Sequence, residues 1–186
     1  MKTFFLIFAA AFLLSCSSGS LHDSRDGKTY KTVKIGSQTW MAENLNFDAS
    51  GSRCYDNDPG NCQRYGRLYN WNTALTVCPS GWRLPTDAEW TVLTDHAGSN
   101  AGTKLKASSG WSSDNGTNDF GFSALPGGIG SSSGSFYFVG DSGFWWSATE
   151  VNASYAWSRS MSYDFSGAGR NGFIKSDLLS VRCLQD

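Results

Sequence analysis

The sequence predicts an α+β domain, with two strands and two helices ahead of an antiparallel meander. Three observations carry that prediction. Residues 30–35 and 38–41 alternate apolar and polar side chains around a Gly36-Ser37 turn. Pro85 is followed by Thr86-Asp87-Ala88-Glu89, the pattern of a helix capping box. Residues 155–161 alternate again, after a long stretch rich in Gly, Ser and Asn.

Residues 17–26 are polar and read as a flexible tether, ahead of the hairpin 30–41. Residues 48–62, dense in Asp, Asn, Gly and Ser, read as a loop. Leu68, Trp71, Ala74 and Leu75 recur at helical spacing and predict a helix over 66–75. In the second helix the Thr86 hydroxyl is placed to accept from the Glu89 amide, and Glu89 to reach back. Trp90, Leu93 and His96 continue that helix and Gly98 stops it. A single helical turn is expected near 101–107. Residues 108–119 and 126–135 read as long loops, 136–139 as a short strand or loop segment, and 143–149 as a strand. In 155–161, alternation places Tyr155, Trp157 and Arg159 on one face. A turn at 166–169 then leads to a last strand over 180–184.

At 186 residues with a net charge of −1 and no basic stripe, the chain suits one domain and offers nothing to nucleic acid. It holds 8 Trp, 12 Phe and 7 Tyr against 17 % charged residues, with 21 Gly and 4 Pro. That balance suits glycine turns around an aromatic core, with some rings left over to stack on sugars. The stacking candidates are Tyr137, Trp145, Tyr155, Trp157 and Tyr163.

The start carries its own signal. Lys2 precedes an apolar run that ends in Leu13-Leu14-Ser15-Cys16. A basic start, an apolar stretch and a small-residue cut site describe a secretory signal. Residues 4–14 are about 11 residues, too few to cross a bilayer core of about 30 Å as a helix. Leu-Leu-Ser-Cys resembles the bacterial lipobox, which implies removal of residues 1–15 and a lipid on Cys16. Residues 16–27 are then lipidated Cys and tether, and 28–186 the folded head. Ser17 is not the Asp that resembles an inner-membrane retention signal. The expected location is therefore the outer membrane or cell surface, with the membrane as a partner through the lipid.

Four cysteines remain after Cys16, namely Cys54, Cys62, Cys78 and Cys183. An even set in an exported chain points to two disulfides, and four cysteines allow three pairings. Cys54 and Cys62 flank a short turn-rich loop, which favours a local bridge and leaves Cys78 with Cys183. Zinc is the rival reading. No CxxC spacing supports it, and His22 and His96 stand far along the chain from the cysteines.

Candidate ligand-contacting polar residues are Asp114, Asn115, Asn118 and Asp119. Of these Asp114, Asn118 and Asp119 offer hard oxygens suited to calcium, as do Asp56, Asn57 and Asp58. Neither group has the spacing of an EF-hand loop, and turn chemistry accounts for such residues equally. No cofactor is expected beyond that one candidate ion. No Ser-His-Asp arrangement can be argued, and Glu43, Glu89 and Glu150 read as scaffold, so no catalytic residue is assigned.

Several motifs then stand together. Val33-Lys34-Ile35-Gly36-Ser37-Gln38-Thr39-Trp40-Met41-Ala42-Glu43-Asn44-Leu45-Asn46 opens the head. Gly66-Arg67-Leu68-Tyr69-Asn70-Trp71 and Cys78-Pro79-Ser80-Gly81-Trp82-Arg83-Leu84-Pro85-Thr86 follow. Gly121-Phe122-Ser123-Ala124-Leu125-Pro126-Gly127-Gly128, Trp145-Trp146-Ser147-Ala148-Thr149-Glu150 and Ser180-Val181-Arg182-Cys183 complete the set. In this order they resemble the Fibrobacter succinogenes major paralogous domain, a family of exported bacterial proteins that are often lipoproteins. That family in turn resembles the C-type-lectin-like fold and the formylglycine-generating group. The resemblance implies a lectin-like domain with two helices, an antiparallel sheet, long loops and two disulfides, and it supports the Cys78–Cys183 pairing. Departures matter as much. The formylglycine-generating enzymes use a cysteine pair late in the chain, whereas here Cys183 stands alone there. The lectin calcium triads are absent too. The expected role is a non-catalytic binding or adhesion module for glycans or a surface protein. An envelope structural protein, or an enzyme or accessory domain akin to the formylglycine group, are the alternatives.

Overall fold

The computed structural model describes residues 18–186. Its first element corrects the sequence reading. Residues expected to be tether form strand β1 (Ser18–His22), which pairs antiparallel with β2 (Thr29–Ile35) from Ser18↔Val33 to His22↔Thr29. Leu21 and Asp23 are buried. The Arg25 guanidinium donates to Asp23 Oδ1 at 2.8 Å and Oδ2 at 2.6 Å, and holds that carboxyl below the usual range. Arg25 also lies 3.9 Å over the Phe47 ring, so the β1–β2 turn is locked on both sides. Ser18, Gly19 and Ser20 are exposed and carry no apolar signal; backbone pairing alone makes them a strand.

The predicted hairpin is present. β2 pairs with β3 (Gln38–Met41) across the Gly36-Ser37 turn, where Gly36 takes a φ of 60°. The next stretch departs from expectation. Within 48–62 lie β4 (Ser52–Arg53), a 3-10 turn (Tyr55–Asn57) and the start of α1 (Pro59–Tyr65). Asp58 caps α1 by accepting from Gly60 N at 2.8 Å, and Pro59 occupies its first turn. The helix expected over 66–75 is split into β5 (Leu68–Tyr69) and a short α2 (Trp71–Ala74), capped by Asn70. The apolar spacing there is served by a buried strand followed by one helical turn.

After β6 (Trp82–Arg83) the capping box forms as expected and starts α3 (Asp87–Ala97). Glu89 N donates to Thr86 Oγ1, and Glu89 Oε2 accepts from Thr86 N at 2.8 Å. The same carboxylate takes both arms of Arg83, at 2.6 and 2.7 Å. The Arg83 pair, reinforced by the Thr86 hydrogen bonds, lowers the Glu89 pKa from 4.5 to about 2 against the opposing pull of burial. A depressed carboxylate stabilises the fold fully above its unfolded pKa and loses that contribution as pH falls through the folded one. Glu89→Gln is expected to cost about 1–2 kcal/mol at pH 7. Its deficit against the native protein should shrink steadily between pH 5 and pH 2, as thermal unfolding across that range will report.

α4 (Ala101–Leu105) supplies the expected extra turn. The predicted loop 126–135 contains strand β7 (Gly127–Gly130), paired with β8 (Phe136–Val139). The meander comprises β9 (Ser142–Glu150), β10 (Tyr155–Ser162) and β11 (Phe165–Ile174). Residues 166–169, expected to turn, lie inside β11; the chain reverses instead at Tyr163 and Asp164. The expected last strand breaks into β12 (Leu179–Ser180) and β13 (Leu184–Gln185), which join different sheets.

One sheet has five strands, ordered β1-β2-β3-β13-β6. The other runs β11-β10-β9-β12-β5-β4, with β7 and β8 attached beside β9. Trp145 and Trp146 point to opposite faces of β9 and enter two separate cores. Trp40, Trp90 and Phe122 gather with Trp145, while Tyr69, Trp71 and Leu179 gather with Trp146. Each buried indole finds an acceptor, as in Trp146 to Tyr69 O at 2.7 Å and Trp71 to Ser147 O at 2.8 Å. The chain is thus an α+β domain with four α-helices among the described residues, rather than two.

Two disulfides form as expected, Cys54–Cys62 and Cys78–Cys183. Between the sheets lies Arg182, 0 % exposed. Its Nε donates to Asn44 Oδ1 at 2.8 Å, Nη1 to Met41 O at 3.2 Å and to Phe122 O, and Nη2 to Ser123 O at 2.8 Å. Asn44 spends every valence here. Oδ1 also accepts from Trp145 Nε1 at 2.9 Å, and Nδ2 donates to Tyr65 O and Ser180 Oγ. Burial pushes the Arg182 pKa down to about 9, which leaves the group charged at neutral pH.

Candidate functional site

The predicted site residues do not form one cluster. Cys16 lies outside the described residues. Trp145 is 0 % exposed and tied to Asn44, so it cannot stack on a ligand. Tyr155 and Trp157 share a face of β10 with Arg159, as alternation required. On that face Arg159 and Arg170 converge on Asp87, at the start of α3. Arg159 Nη1 donates to Asp87 Oδ1, and Arg170 Nε to Oδ2 at 2.9 Å. Burial pushes the Asp87 carboxyl up, but the hydrogen bonds from Arg170 and Arg159 outweigh it and hold it below the usual range. The Arg170 guanidinium lies 3.3 Å over one face of the half-buried Trp157 ring.

Asp114, Asn115 and Tyr163 line a pocket of about 280 Å³ with Thr103, Lys106 and Asp164. Lys106 forms its wall. Its Nζ donates to the backbone carbonyls of Asp114 (3.0 Å), Ser162 (2.9 Å) and Tyr163 (3.4 Å). Burial lowers this amine's pKa, opposed by Asp114 and Asp164. Three N–H bonds meet three carbonyls, so the ammonium works as a built-in cation that clasps the loop 108–119 to the β10–β11 turn. Asn118 stands at a φ of 54°, with Oδ1 accepting from Ser123 N at 2.8 Å, and Asp119 is exposed. Asp56 and Asn57 also take positive φ, and Asp58 caps α1. Among the described residues no three His, Cys, Asp or Glu side chains gather into a metal-holding group.

Tyr137 fares differently. It is 49 % exposed on β8, next to Phe138 at 55 %. Their rings stand 6.1 Å apart, Phe138 lies 6.1 Å from Phe144, and Phe144 meets Phe173 edge-on at 5.4 Å. Four rings therefore touch in series, Tyr137 and Phe138 exposed, Phe144 and Phe173 half-buried at the edge of the core around Trp146. The register gives these rings a shared face, although Phe173 itself pairs with Ala156, level with Glu150 of β9, so its ring meets Phe144 across a diagonal. Phe144 of β9 pairs with Ser160 of β10, and Ser160 with Gly169 of β11. Asn171 and Phe173 follow Gly169 on the same face at two-residue steps. The Asn171 amide donates to Ser160 Oγ at 2.8 Å at this exposed position, so a polar strip borders the rings.

Phe138 has a φ of 67°. A bulky residue in the left-handed region is a genuine outlier, costing on the order of 1–3 kcal/mol. Here the strain holds a large apolar ring in water. Nothing in the sequence marks Phe138 for this role. Alternation in 142–150 and 165–174 does put Phe144 and Phe173 on faces, but which strands adjoin is a long-range fact.

A family model, the Fibrobacter succinogenes major domain, matches residues 33–185. The chain belongs to this family. No curated protein and no solved structure matches it. The matched span opens inside β2 and covers the Gly36-Ser37 turn with β3, the capping box, both disulfides and the Arg182 network of this Fibrobacter major domain, and the whole aromatic row. β1, by contrast, precedes it.

Proposed function

We propose that this Fibrobacter major domain is the head of an exported, lipid-anchored, non-catalytic binding module, and that saccharides stack on the Tyr137-Phe138-Phe144-Phe173 row. Phe138 carries this reading, because it joins an exposed ring, a strained backbone and contact with two neighbouring rings, and backbone strain clusters at ligand sites. Sugar faces are apolar and fit aromatic rings, while Ser160 and Asn171 offer hydroxyl and amide partners alongside. The resemblance of Leu13-Leu14-Ser15-Cys16 to a lipobox supports export and a lipid on Cys16. All four cysteines among the described residues are bridged, which speaks against chemistry of the formylglycine type. A C-type-lectin-like fold is part of the proposal. The bridge from Cys78 to the segment entering β13 supports it.

A glycan array tests the reading, with calcium and without it, since Asp114, Asn118 and Asp119 are the candidate ligands for that ion. The protein for the array must begin at Ser18, so that β1 stays intact. Phe138→Gly is expected to weaken binding roughly tenfold, the worth of one aromatic contact. It should cost no thermal stability, because glycine accepts the left-handed backbone. A folded domain that binds nothing on the array would overturn the binding role in favour of a structural protein of the envelope.

A further inference from the structure

We infer that the head does not stand off from the bilayer but sits directly on it, through the rim of the five-stranded sheet at which β1 begins. This rests on the lipid anchor proposed above. Only Ser17 separates Cys16 from Ser18, and two peptide steps span at most about 7 Å whatever their conformation. Ser18 is no longer tether. Five residues of β1 are paired to β2, and the Arg25 clamp on buried Asp23 fixes the far end of β1.

Register then says which part of the domain is brought down. Ser18 lies level with Val33, Val33 with Trp40, Trp40 with Leu184, and Leu184 with Arg83. β1 runs away from that row toward His22. Its other side therefore holds the chain leaving toward Cys16, the turn from Lys34 to Gln38, and Asp186 beside Gly81. His96, at the end of α3, packs against Gly36 of the same turn. The polar layer of one leaflet is about 5–7 Å thick. A 7 Å stem therefore places this rim among or just above the headgroups. Lys34, Ser37, His96 and Asp186 are exposed there, so the rim is polar with both signs of charge, chemistry that rests on zwitterionic headgroups and does not enter the hydrocarbon. The partner is the phospholipid surface itself. The aromatic row belongs to the other sheet, so anchoring and ligand stacking use separate surfaces.

The test uses the full-length lipidated protein in phosphatidylcholine vesicles that carry a headgroup nitroxide. A fluorophore is attached through Ser37→Cys. Strong quenching is expected, falling several-fold when ten Gly/Ser residues are inserted between Ser17 and Ser18, a spacer of about 17 Å root-mean-square length. Equal quenching with and without the spacer, in protein that sediments with the vesicles and loses them on Cys16→Ala, would overturn the seat and leave the anchor standing. Mass spectrometry showing no acyl chain on Cys16 would overturn the anchor and the seat with it.

Discussion

Arg182→Leu is expected to destabilise the domain by about 3–5 kcal/mol, a large share of the 5–15 kcal/mol that holds a typical domain folded. The guanidinium is fully buried, and among the described residues no carboxylate forms an ion pair with it. What offsets its desolvation is a cage of neutral oxygens from Met41, Phe122, Ser123 and Asn44, together with the Phe122 ring 4.5 Å from Cζ. Leucine removes the donors and leaves the acceptors buried, which is the expensive half of a lost hydrogen bond. Arg182→Lys should rescue little, because one ammonium cannot reproduce a planar fork that reaches the end of β3, Asn44 and the 122–123 loop at once. Asn44→Ala breaks the same cage from its other side. The double variant should therefore lose clearly less than the sum of the singles. Equilibrium urea unfolding at pH 7 measures all four. An Arg182→Leu loss under 1 kcal/mol would mean that the cage contributes little.

How far this architecture can be read from the chain depends on the range of the interactions involved. The capping box is local, three residues wide, and it forms as written, with Arg83 added from six residues away. The hairpin 30–41 and the Cys54–Cys62 bridge are local as well. Arg182 is different. Alternation in 180–184 puts it opposite Val181 and Cys183, yet its four acceptors sit on residues from 41 to 123 and come together only in the fold. Trp145 failed as a stacking candidate for a similar reason. Adjacent tryptophans on a strand suggest one inward and one outward ring, but both faces of β9 are covered. β1 is the reverse case. Ser18-Gly19-Ser20 has the composition of a linker, and only the neighbouring edge of β2 turns it into a strand. The aromatic row needed the β8, β9, β10 and β11 order, and Phe138 needed a backbone conformation that phenylalanine rarely adopts.

Loss of the Cys78–Cys183 bridge should rival loss of Arg182, and for a reason that lies in the unfolded chain. The bridge closes a loop of 105 residues, whereas Cys54–Cys62 closes one of 8. In the chain-entropy account these are worth about 4.7 and about 2.5 kcal/mol. The paired replacement Cys78→Ala with Cys183→Ala should therefore cost about twice what Cys54→Ala with Cys62→Ala does. Native-state packing works in the same direction, since Cys183 is buried and its carbonyl accepts from Met41 N at 3.0 Å beside the Arg182 cage. The two contributions separate in denaturant. A lost cross-link lets the unfolded ensemble expand and expose more surface, so the dependence of stability on urea should steepen for the 78/183 variant and barely change for 54/62. A large stability loss with an unchanged slope would place the effect in the folded core around β13. A loss no greater than that of the short bridge would overturn the entropic account.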